Sequence, residues 1–165
     1  MSEFAPEWLD LREPADLRAR SSDVANTVSA RFALRDDVSV LDLGSGTGSN
    51  LRATAPLLPH RQSWKLVDND AGLHEVAKAR LAAWADAAEF SDNGLRLRKD
   101  RREIDVTFVV ADLASETAHL LDRPLHLVTA SAFFDLTSPD YIRALAKAVA
   151  EHRIAFYATL TYNGQ

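Results

Sequence analysis

The feature that most restricts the fold of this chain is an apolar run that ends in an acid and passes into three alternating glycines. Residues 40–48 read VLDLGSGTG, so that Asp42 precedes Gly44, Gly46 and Gly48. Glycines permit positive φ angles and let a ligand approach the backbone closely, and a helix beginning behind them offers unpaired N–H groups. The pattern predicts a buried strand, a sharp turn and a helix, with either a ligand or only a tight turn at the junction.

Five segments of the chain are rich in β-branched and aromatic residues, and several are nearly continuous apolar runs. They are residues 38–43, 64–67, 104–110, 125–130 and 154–160. Such runs are typical of parallel strands that are covered on both faces. Because helical patterns lie between them, the sequence predicts a doubly wound α/β fold, with a mostly parallel sheet and helices on both faces.

Helix start signals support this alternation of strands and helices. Asp70 is the predicted N-cap of a helix that continues to about Ala88, and Ser138 begins another helix directly before Pro139. Residues 7–33 contain no strand pattern and are predicted to form helices that lead into the first strand.

The length of 165 residues is that of one ordinary domain. We predict a single domain over 1–165, with an N-terminal helical segment, 1–36, and an α/β core, 37–165. The net charge of -5 argues against a nucleic-acid partner, which needs basic surface. There are no cysteines, so disulfides and thiolate metal sites are excluded.

Targeting and metal-binding patterns are also missing from the sequence. The N-terminus, MSEFAPEWLD, has no signal-peptide pattern, and no apolar stretch approaches the roughly 20 residues of a membrane span. We therefore predict a cytoplasmic protein without a membrane partner. The five histidines show no paired metal-ligand spacing, so no metal site is predicted.

The spacing of the glycines discriminates between kinds of ligand. A dinucleotide fingerprint has a third glycine or alanine where this chain has Ser49, and the Gly-Lys-Ser/Thr sequence of a P-loop does not follow. An aspartate ahead of the loop, Asp42, would attract an ammonium group and repel a phosphate. The loop therefore disfavours a pyrophosphate, and a turn that binds nothing is the alternative.

This acid-x-G-x-G-x-G sequence resembles the first motif of the class I S-adenosylmethionine-dependent methyltransferases. The resemblance covers almost the whole chain and implies a Rossmann-like fold, S-adenosyl-L-methionine as the cofactor and S-adenosyl-L-homocysteine as the product. In that family the loop cradles the methionine moiety, and the acid lies near its amino group. The residues that the resemblance places there are Asp42, Gly44, Ser45, Gly46, Thr47 and Gly48.

Acids at the ends of the next two strands extend the resemblance. Asp68, with its neighbour Asn69, follows the second strand, where a carboxylate can accept hydrogen bonds from both ribose hydroxyls. NAD-binding proteins share this feature. Asp112 and Leu113 follow the third strand, where the family binds the adenine amine. Each acid alone could instead be a solvated loop residue or a helix cap.

The segment after the fourth strand is predicted to line the methyl-donor end, because ligands of open α/β sheets bind outside the carboxyl ends of the strands. Ser131 is predicted to contact the cofactor there. Asp135 is a candidate general base or substrate-orienting residue, and equally a helix cap. Arg12, Arg18 and Arg20 lie where related enzymes cover the cofactor with a helix. Among them, Arg20 is the candidate partner of the methionine carboxylate, with a surface role as the alternative.

Two departures from the family pattern bear on the substrate. His126 stands where the family commonly has an aspartate, and it is predicted to be structural. The Asn/Asp-Pro-Pro-aromatic signature of amino-directed DNA and protein methyltransferases is absent, so a small-molecule acceptor is predicted by analogy. The basic residues 96–102 follow a hairpin signal at Asn93-Gly94 and are predicted to form a solvated ribbon, with a patch for an anionic substrate or RNA as the alternative.

The family's sheet normally has seven strands, and this sequence shows about five. The chain is therefore predicted to be truncated after the fifth strand, with a natural short form, or an assembly in which a partner supplies the missing pairing, as the alternatives. Residues 154–160 would then form a long apolar edge strand that is predicted to pair with another chain, for example in a homo-oligomer. Cofactor binding is expected to survive such a loss better than turnover.

The leading hypothesis is transfer of the sulfonium methyl group of S-adenosyl-L-methionine to a nucleophile. The first alternative is an NAD(P)-dependent oxidoreductase of the same architecture, which would need space for a pyrophosphate. The second alternative is a non-catalytic fragment or partner subunit that binds the cofactor without turnover.

Overall fold

The computed structural model describes residues 5–121 and 124–160 of the chain. Its elements, in chain order, are α1 (Pro6–Ala19), α2 (Ser22–Phe32), β1 (Asp37–Leu43), α3 (Ser49–Thr54), β2 (Arg61–Asp68), α4 (Ala71–Trp84), β3 (Ala87–Ser91), β4 (Gly94–Lys99), β5 (Arg102–Val110), α5 (Leu113–Leu121), β6 (Leu127–Ser131), α6 (Pro139–Glu151) and β7 (Ala155–Thr159). Short 3-10 turns follow α3 and β6, at Ala55–Leu57 and Phe134–Leu136. The predicted segments 1–36 and 37–165 extend at their outer ends beyond the described residues.

The seven strands form one sheet in the order β3-β4-β5-β2-β1-β6-β7. The five strands predicted from the sequence, β5, β2, β1, β6 and β7, are all parallel to their neighbours in this group. The chain direction across the sheet reverses between β1 and β6, because β1 leads on to β2 whereas β6 leads on to β7. A crevice therefore forms outside the carboxyl ends of β1 and β6, which is the usual ligand position in such sheets.

Two apolar cores cover the two faces of the sheet, so the predicted doubly wound α/β fold is confirmed. Alternate residues of β1 point to opposite cores, with Val40 in the first and Leu41 in the second. The first core includes buried residues of α2, α3 and α4, and the second includes those of α5 and α6. This double coverage explains why the central strands are nearly continuous apolar runs in the sequence.

The predicted helix starts at Asp70 and Ser138 are confirmed. The Asp70 side chain accepts a hydrogen bond from the Gly72 amide (2.8 Å), and Ser138 Oγ accepts one from the Tyr141 amide (3.1 Å). Each side chain satisfies a backbone donor that has no partner within the helix. Both caps fix the direction in which their helices leave the carboxyl edge of the sheet.

The predicted count of about five strands was too low, because residues 87–99 form an antiparallel hairpin, β3–β4, beside β5. The hairpin signal is confirmed, since Ser91 pairs with Gly94 around the turn. Helix α4 ends at Trp84, earlier than the predicted Ala88. The reason is that Asp86 accepts hydrogen bonds from Lys99 Nζ (3.0 Å) and from the Asp100 amide (2.8 Å), which draws the chain into the sheet.

The basic stretch at residues 96–102 is part of this hairpin and of the turn into β5. Arg96 lies opposite Glu89 on one side and Asp105 on the other, and its Nε donates to Asp105 Oδ1 (3.0 Å). Arg98 lies opposite Glu103. Opposite charges in directly facing positions stabilise a sheet. The solvated ribbon of the sequence prediction is therefore a ladder of alternating charges.

The other edge of the sheet is β7, which pairs with β6 alone within residues 5–121 and 124–160. Phe156 on this strand is half-exposed. Pairing of the predicted edge, residues 154–160, with another chain stays a prediction. None of the helices in the described part of the chain is both long and apolar enough to cross a membrane.

Candidate functional site

A cleft of about 700 Å³ lies at the carboxyl edge of the parallel strands. The loops after β1, β2, β5 and β6 line it, and α1 contributes residues from the N-terminal side. The predicted site residues that line the cleft are Gly44, Ser45, Gly46, Thr47, Asp68, Asn69, Asp112, Leu113 and Ser131. Asp42, Gly48 and Asp135 do not line it. The volume falls in the range of about 300–1,000 Å³ that is typical of small-molecule sites.

The glycine loop turns sharply between β1 and α3. Gly44, Gly46 and Gly48 have φ angles of +65°, +50° and +78°, in the left-handed region that other residues rarely adopt. The Ser45 amide donates to the Val67 carbonyl (3.0 Å). The loop is therefore fastened to the end of β2, as well as to the strand that precedes it. The helix behind it is short, with six residues in α3.

Asp68 links the loop to the end of β2 from a nearly fully buried position. Its Oδ2 accepts a hydrogen bond from the Gly46 amide (2.8 Å), and its Oδ1 accepts one from the Asp70 amide (3.1 Å). An ionised carboxylate has about four acceptor sites, so each oxygen can accept a further hydrogen bond. Asp68 can thus hold the loop and receive hydroxyl donors from the cleft at the same time.

Asp112 is an exposed residue at the start of α5. Its Oδ1 accepts a hydrogen bond from the Ala114 amide (3.0 Å), and its Oδ2 accepts one from Ser115 Oγ (3.2 Å). The Asp112 amide in turn donates to Glu116 Oε1 (3.0 Å), a reciprocal arrangement like that of a capping box. The carboxylate is thus used in capping α5, and the neighbouring Leu113 is buried beside the cleft.

Asp42 lies beneath the glycine loop and is completely buried. Asn50 Nδ2 donates to Asp42 Oδ1 (2.8 Å) and to Thr129 Oγ1 (3.1 Å). Arg20 Nη2 donates to Asn50 Oδ1 (3.0 Å) and to Ser131 Oγ (3.3 Å). These contacts form a continuous polar network, which we call the Asp42–Arg20 network, from the floor of the loop to a residue of the cleft wall.

Burial raises the pKa of Asp42 from 3.8 to about 7, although the hydrogen bond from Asn50 and the positive charge of Arg20 act in the opposite direction. Asp42 Oδ2 has no hydrogen-bond partner within the described residues, and the same is true of Arg20 Nε and Nη1 and of Ser45 Oγ. Buried polar atoms are normally paired. Around the loop, these atoms are instead buried without a partner among the described residues, and those of Asp42 and Arg20 lie behind the cleft lining to which Ser45 and Ser131 belong.

The segment after β6 forms the opposite wall of the cleft. Phe133 lies against the glycine loop and packs edge-to-face on Phe134 and Tyr141. Tyr141 Oη lies 2.9 Å from Thr117 Oγ1, and burial raises the pKa of this tyrosine. Asp135 is exposed in the 3-10 turn and is outside the cleft lining, so its role as a base stays a prediction.

Helix α1 crosses the cleft without burying any of its side chains. It is tied to the body by ion pairs: Glu13 accepts hydrogen bonds from Arg52 Nε (3.1 Å) and Nη2 (2.5 and 2.7 Å), and Asp10 pairs with Arg80. Arg52 Nη1 also donates to the Thr47 carbonyl in the glycine loop (3.0 Å). Arg52 therefore joins the helix to the loop that it covers.

Replacing Arg52 by methionine is expected to loosen α1 selectively, because apolar burial contributes little to its attachment. Hydrogen–deuterium exchange should become faster at residues 6–19 while the sheet remains protected. Arg143→Met is the matched control, because the Arg143 ion pair with Asp140 is exposed and lies within α6. Unchanged exchange in α1 of the Arg52 variant would contradict this assignment.

His126 lies at the amino edge of the sheet, opposite to the cleft. The Ser39 amide donates to its Nδ1 (2.9 Å), and Arg35 Nη2 lies 2.6 Å from its Nε2. These contacts agree with the structural role predicted for it. Within residues 5–121 and 124–160, no cluster of three or more histidine and acidic side chains is suited to hold a metal ion.

Several residues around the cleft could not be identified from the sequence. Trp8, Leu9, Arg12, Glu13 and Asp16 of α1 line it, but the first turns of this helix show no recognisable motif. Asn50 was also missed, because a lone asparagine in a short helix gives no signal of its four hydrogen-bond partners. Arg12 and Arg20 lie in the segment that the resemblance places over the cofactor, and this position was their only signal in the sequence.

Comparison with solved structures identifies the fold. A magnesium protoporphyrin IX methyltransferase from Synechocystis PCC 6803, solved with bound SAM, matches with a TM-score of 0.54 and 15% identity, over 92% of this chain and 60% of that chain. An arsenic(III) S-adenosylmethionine methyltransferase from Chlamydomonas reinhardtii gives 0.51 and 23%, over 87% and 45%. A Methanococcus maripaludis structure assigned to the S-adenosyl-L-methionine-dependent methyltransferases gives 0.51 and 18%, over 96% and 66%.

The chain thus has the fold of the class I S-adenosylmethionine-dependent methyltransferases, and the predicted Rossmann-like fold is confirmed. It spans between 45% and 66% of the length of these three structures. No family model matches the sequence, and the search of curated proteins found no significantly similar sequence.

Proposed function

We propose that this chain binds S-adenosyl-L-methionine in the cleft and takes part in methyl transfer to a small-molecule acceptor. The observation that carries the proposal is the convergence on one cleft of the glycine loop, Asp68 and the Asp42–Arg20 network. The unpaired polar atoms around the loop include both cationic donors and a carboxylate oxygen. A ligand carboxylate would complement the cationic donors of Arg20, and a ligand ammonium group would favour the ionised form of Asp42.

Each part of the cofactor has a suitable partner in the cleft lining or directly behind it. The amino-acid tail would lie on Gly44–Gly48, with Arg20 and Ser131 toward its carboxylate and Asp42 supporting the loop from below. The ribose hydroxyls would donate to Asp68, beside Asn69. The adenine would lie at Asp112 and Leu113. The Synechocystis enzyme, which shares this fold, was solved with bound SAM.

Bound there, S-adenosyl-L-methionine would supply an activated methyl group for in-line transfer to a nucleophile. The chain's own contribution is orientation and exclusion of water. Phe133 forms the wall nearest the loop, and α1 covers the opening. A base is needed only for an acceptor that loses a proton, and Asp135 is the candidate. The acceptor would enter between α1 and the segment 133–141.

The contact between Gly46 and Asp68 favours this proposal over a nicotinamide dinucleotide. The Gly46 amide points to a carboxylate at 2.8 Å. A pyrophosphate seated on the same loop would need this amide as a donor, and it would be repelled by the acid that already occupies it. The sulfonium and the amino-acid tail of S-adenosyl-L-methionine would place no phosphate beside Asp68.

Calorimetric titration tests the proposal directly. We expect S-adenosyl-L-homocysteine to bind and NADH not to bind under the same conditions. Removal of the ribose partner in Asp68→Ala should weaken S-adenosyl-L-homocysteine binding at least about tenfold, since hydrogen bonds to a charged group are among the strongest. Asp70→Ala is the matched control, because Asp70 lies two residues away, caps α4 and does not line the cleft.

Two outcomes would count against the proposal. Tight NADH binding without S-adenosyl-L-homocysteine binding would favour an oxidoreductase. Equal losses of S-adenosyl-L-homocysteine affinity in the Asp68 and Asp70 variants would show that Asp68 does not contact the ligand. Binding of S-adenosyl-L-methionine without methyl transfer to a broad panel of small molecules would favour a non-catalytic cofactor-binding module.

A further inference from the structure

Asn50 is the centre of the Asp42–Arg20 network. Its amide nitrogen donates to Asp42 Oδ1 and Thr129 Oγ1, at 2.8 and 3.1 Å. Its amide oxygen accepts from Arg20 Nη2 and Thr54 Oγ1, at 3.0 and 3.2 Å. A side-chain amide has two N–H donors and two acceptor lone pairs, so every hydrogen-bonding position of this buried residue is filled.

The charges on its two sides fix the orientation of this amide. The NH₂ group faces the carboxyl group of Asp42, and the oxygen faces the guanidinium of Arg20. Rotating the amide by half a turn would place oxygen against oxygen and NH₂ against a cation, and both contacts would be repulsive. Asp42 therefore sets the direction of Asn50, and Asn50 presents a fixed acceptor to Arg20.

Arg20 needs such an acceptor because it is held by few groups. It lies between α1 and α2, and its Nη2 donates to Asn50 Oδ1 and to Ser131 Oγ. Its Nε and Nη1 atoms are buried and have no partner within the described residues. The contacts of Nη2 thus determine the direction in which the remaining guanidinium donors point.

We propose that Asn50 is a positioning residue, which holds the Arg20 guanidinium in the orientation that receives the carboxylate of an amino-acid ligand in the cleft. The inference rests on the proposed function, because it assigns that carboxylate to the amino-acid tail of the cofactor. A long arginine side chain without a fixed partner samples many rotamers, and ordering it upon binding weakens affinity. Asn50 supplies this order before the ligand arrives.

The test compares two ligands that differ only in the amino-acid tail. S-adenosyl-L-homocysteine and 5′-methylthioadenosine, which lacks the amino and carboxylate groups, are titrated into the parent chain and Asn50→Leu. We expect the affinity for S-adenosyl-L-homocysteine to fall about tenfold to a hundredfold in the variant, as for a lost charge-assisted hydrogen bond. The affinity for 5′-methylthioadenosine should change less than about twofold.

Gln62→Leu is the matched control. Gln62 is equally buried, and its amide bonds to the Ala55 and Pro59 carbonyls and to Trp64 Nε1, but it lies at the opposite end of β2. Both substitutions remove a buried, hydrogen-bonded amide from the interior, with three hydrogen bonds at Gln62 and four at Asn50. Only the Asn50 change is expected to separate the two ligands. Asn50→Ser, whose side chain is too short to reach Arg20, serves for the same comparison if Asn50→Leu does not fold.

A double-mutant cycle with Arg20→Met completes the test. Arg20→Met should weaken S-adenosyl-L-homocysteine binding in the parent chain and have little further effect beside Asn50→Leu. Equal losses for the two ligands, no loss for either, or additive effects in the cycle would overturn the role of Asn50. Failure of the parent chain to bind S-adenosyl-L-homocysteine at all would instead overturn the proposed function, and with it this inference.

Discussion

At pH 8, Asp42→Asn is expected to have a free energy of unfolding about 4 kcal/mol higher than that of the parent chain. Burial raises the pKa of Asp42 from 3.8 to about 7 in the folded chain. Below pH 3.8 the carboxyl group is protonated in both the folded and the unfolded states, so it causes no difference in stability. Between pH 3.8 and about 7 the unfolded chain releases the proton first, and the folded state loses stability as the pH rises.

The asparagine variant lacks this ionisation, and its stability should not fall through that window. Its side-chain oxygen can still accept the hydrogen bond from Asn50. Denaturant unfolding of both proteins from pH 4 to pH 8 measures the effect. Parallel stability profiles would show that the carboxyl group of Asp42 is not perturbed by burial.

Asp86→Asn is a control of opposite sign. Asp86 is exposed, and hydrogen bonds from the Asp100 amide and from Lys99 hold its pKa below the usual value. The stability that this carboxylate contributes is present above its unfolded pKa and is lost as the pH falls. We therefore expect Asp86→Asn to weaken the fold at pH 8, where Asp42→Asn strengthens it.

Gly44→Ala is the second change with a large expected effect, a loss of about 3 kcal/mol in stability together with weaker ligand binding. A Cβ on Gly44 would lie 2.5 Å from Cδ2 of Phe133, at a φ angle of +65°. The Phe133 ring cannot move away easily, because it packs on Phe134 and Tyr141 at centroid distances of 5.4 and 5.9 Å. Since Phe133 lines the cleft, displacing it should also change the affinity for S-adenosyl-L-homocysteine.

Gly46→Ala separates backbone strain from this collision. Gly46 also has a positive φ angle, +50°, but a Cβ there would meet only Leu9, at 3.8 Å. Its cost should be backbone strain alone, about 1 kcal/mol. Gly44→Ala should have a similarly small cost in a Phe133→Ala background. Equal losses for the two alanine variants in the parent chain would rule out the collision.

The central sheet could be predicted because its strands are buried on both faces and are therefore continuous apolar runs. The hairpin β3–β4 was not counted, because its residues alternate between the core and a charged, exposed face. Leu95 and Leu97 are buried, whereas Arg96 and Arg98 are exposed. This alternation is obscured by a high density of charge, and only the turn at Asn93-Gly94 was visible in the sequence.

The parts of the candidate site that are formed by residues close together in the chain could be predicted from the sequence. The glycine loop and Asp68 lie where their positions at strand ends require, since parallel strands bring their carboxyl ends to one edge. Asp42 precedes the same loop but is buried, because it is the last residue but one of β1 and both faces of this strand are covered. Asn50 and Glu13 depend on contacts between distant segments, which no local pattern encodes.

We expect the ionic attachment of α1 to make exchange of the proposed ligand sensitive to dissolved salt. Electrostatic screening lengths fall from about 30 Å at 0.01 M to about 3 Å at 1 M ionic strength. In dilute buffer the ion pairs of Glu13 with Arg52 and of Asp10 with Arg80 should hold α1 against the cleft. A bound nucleoside should then dissociate slowly. In concentrated salt we expect α1 to separate from the cleft more often, so that the ligand both enters and leaves faster.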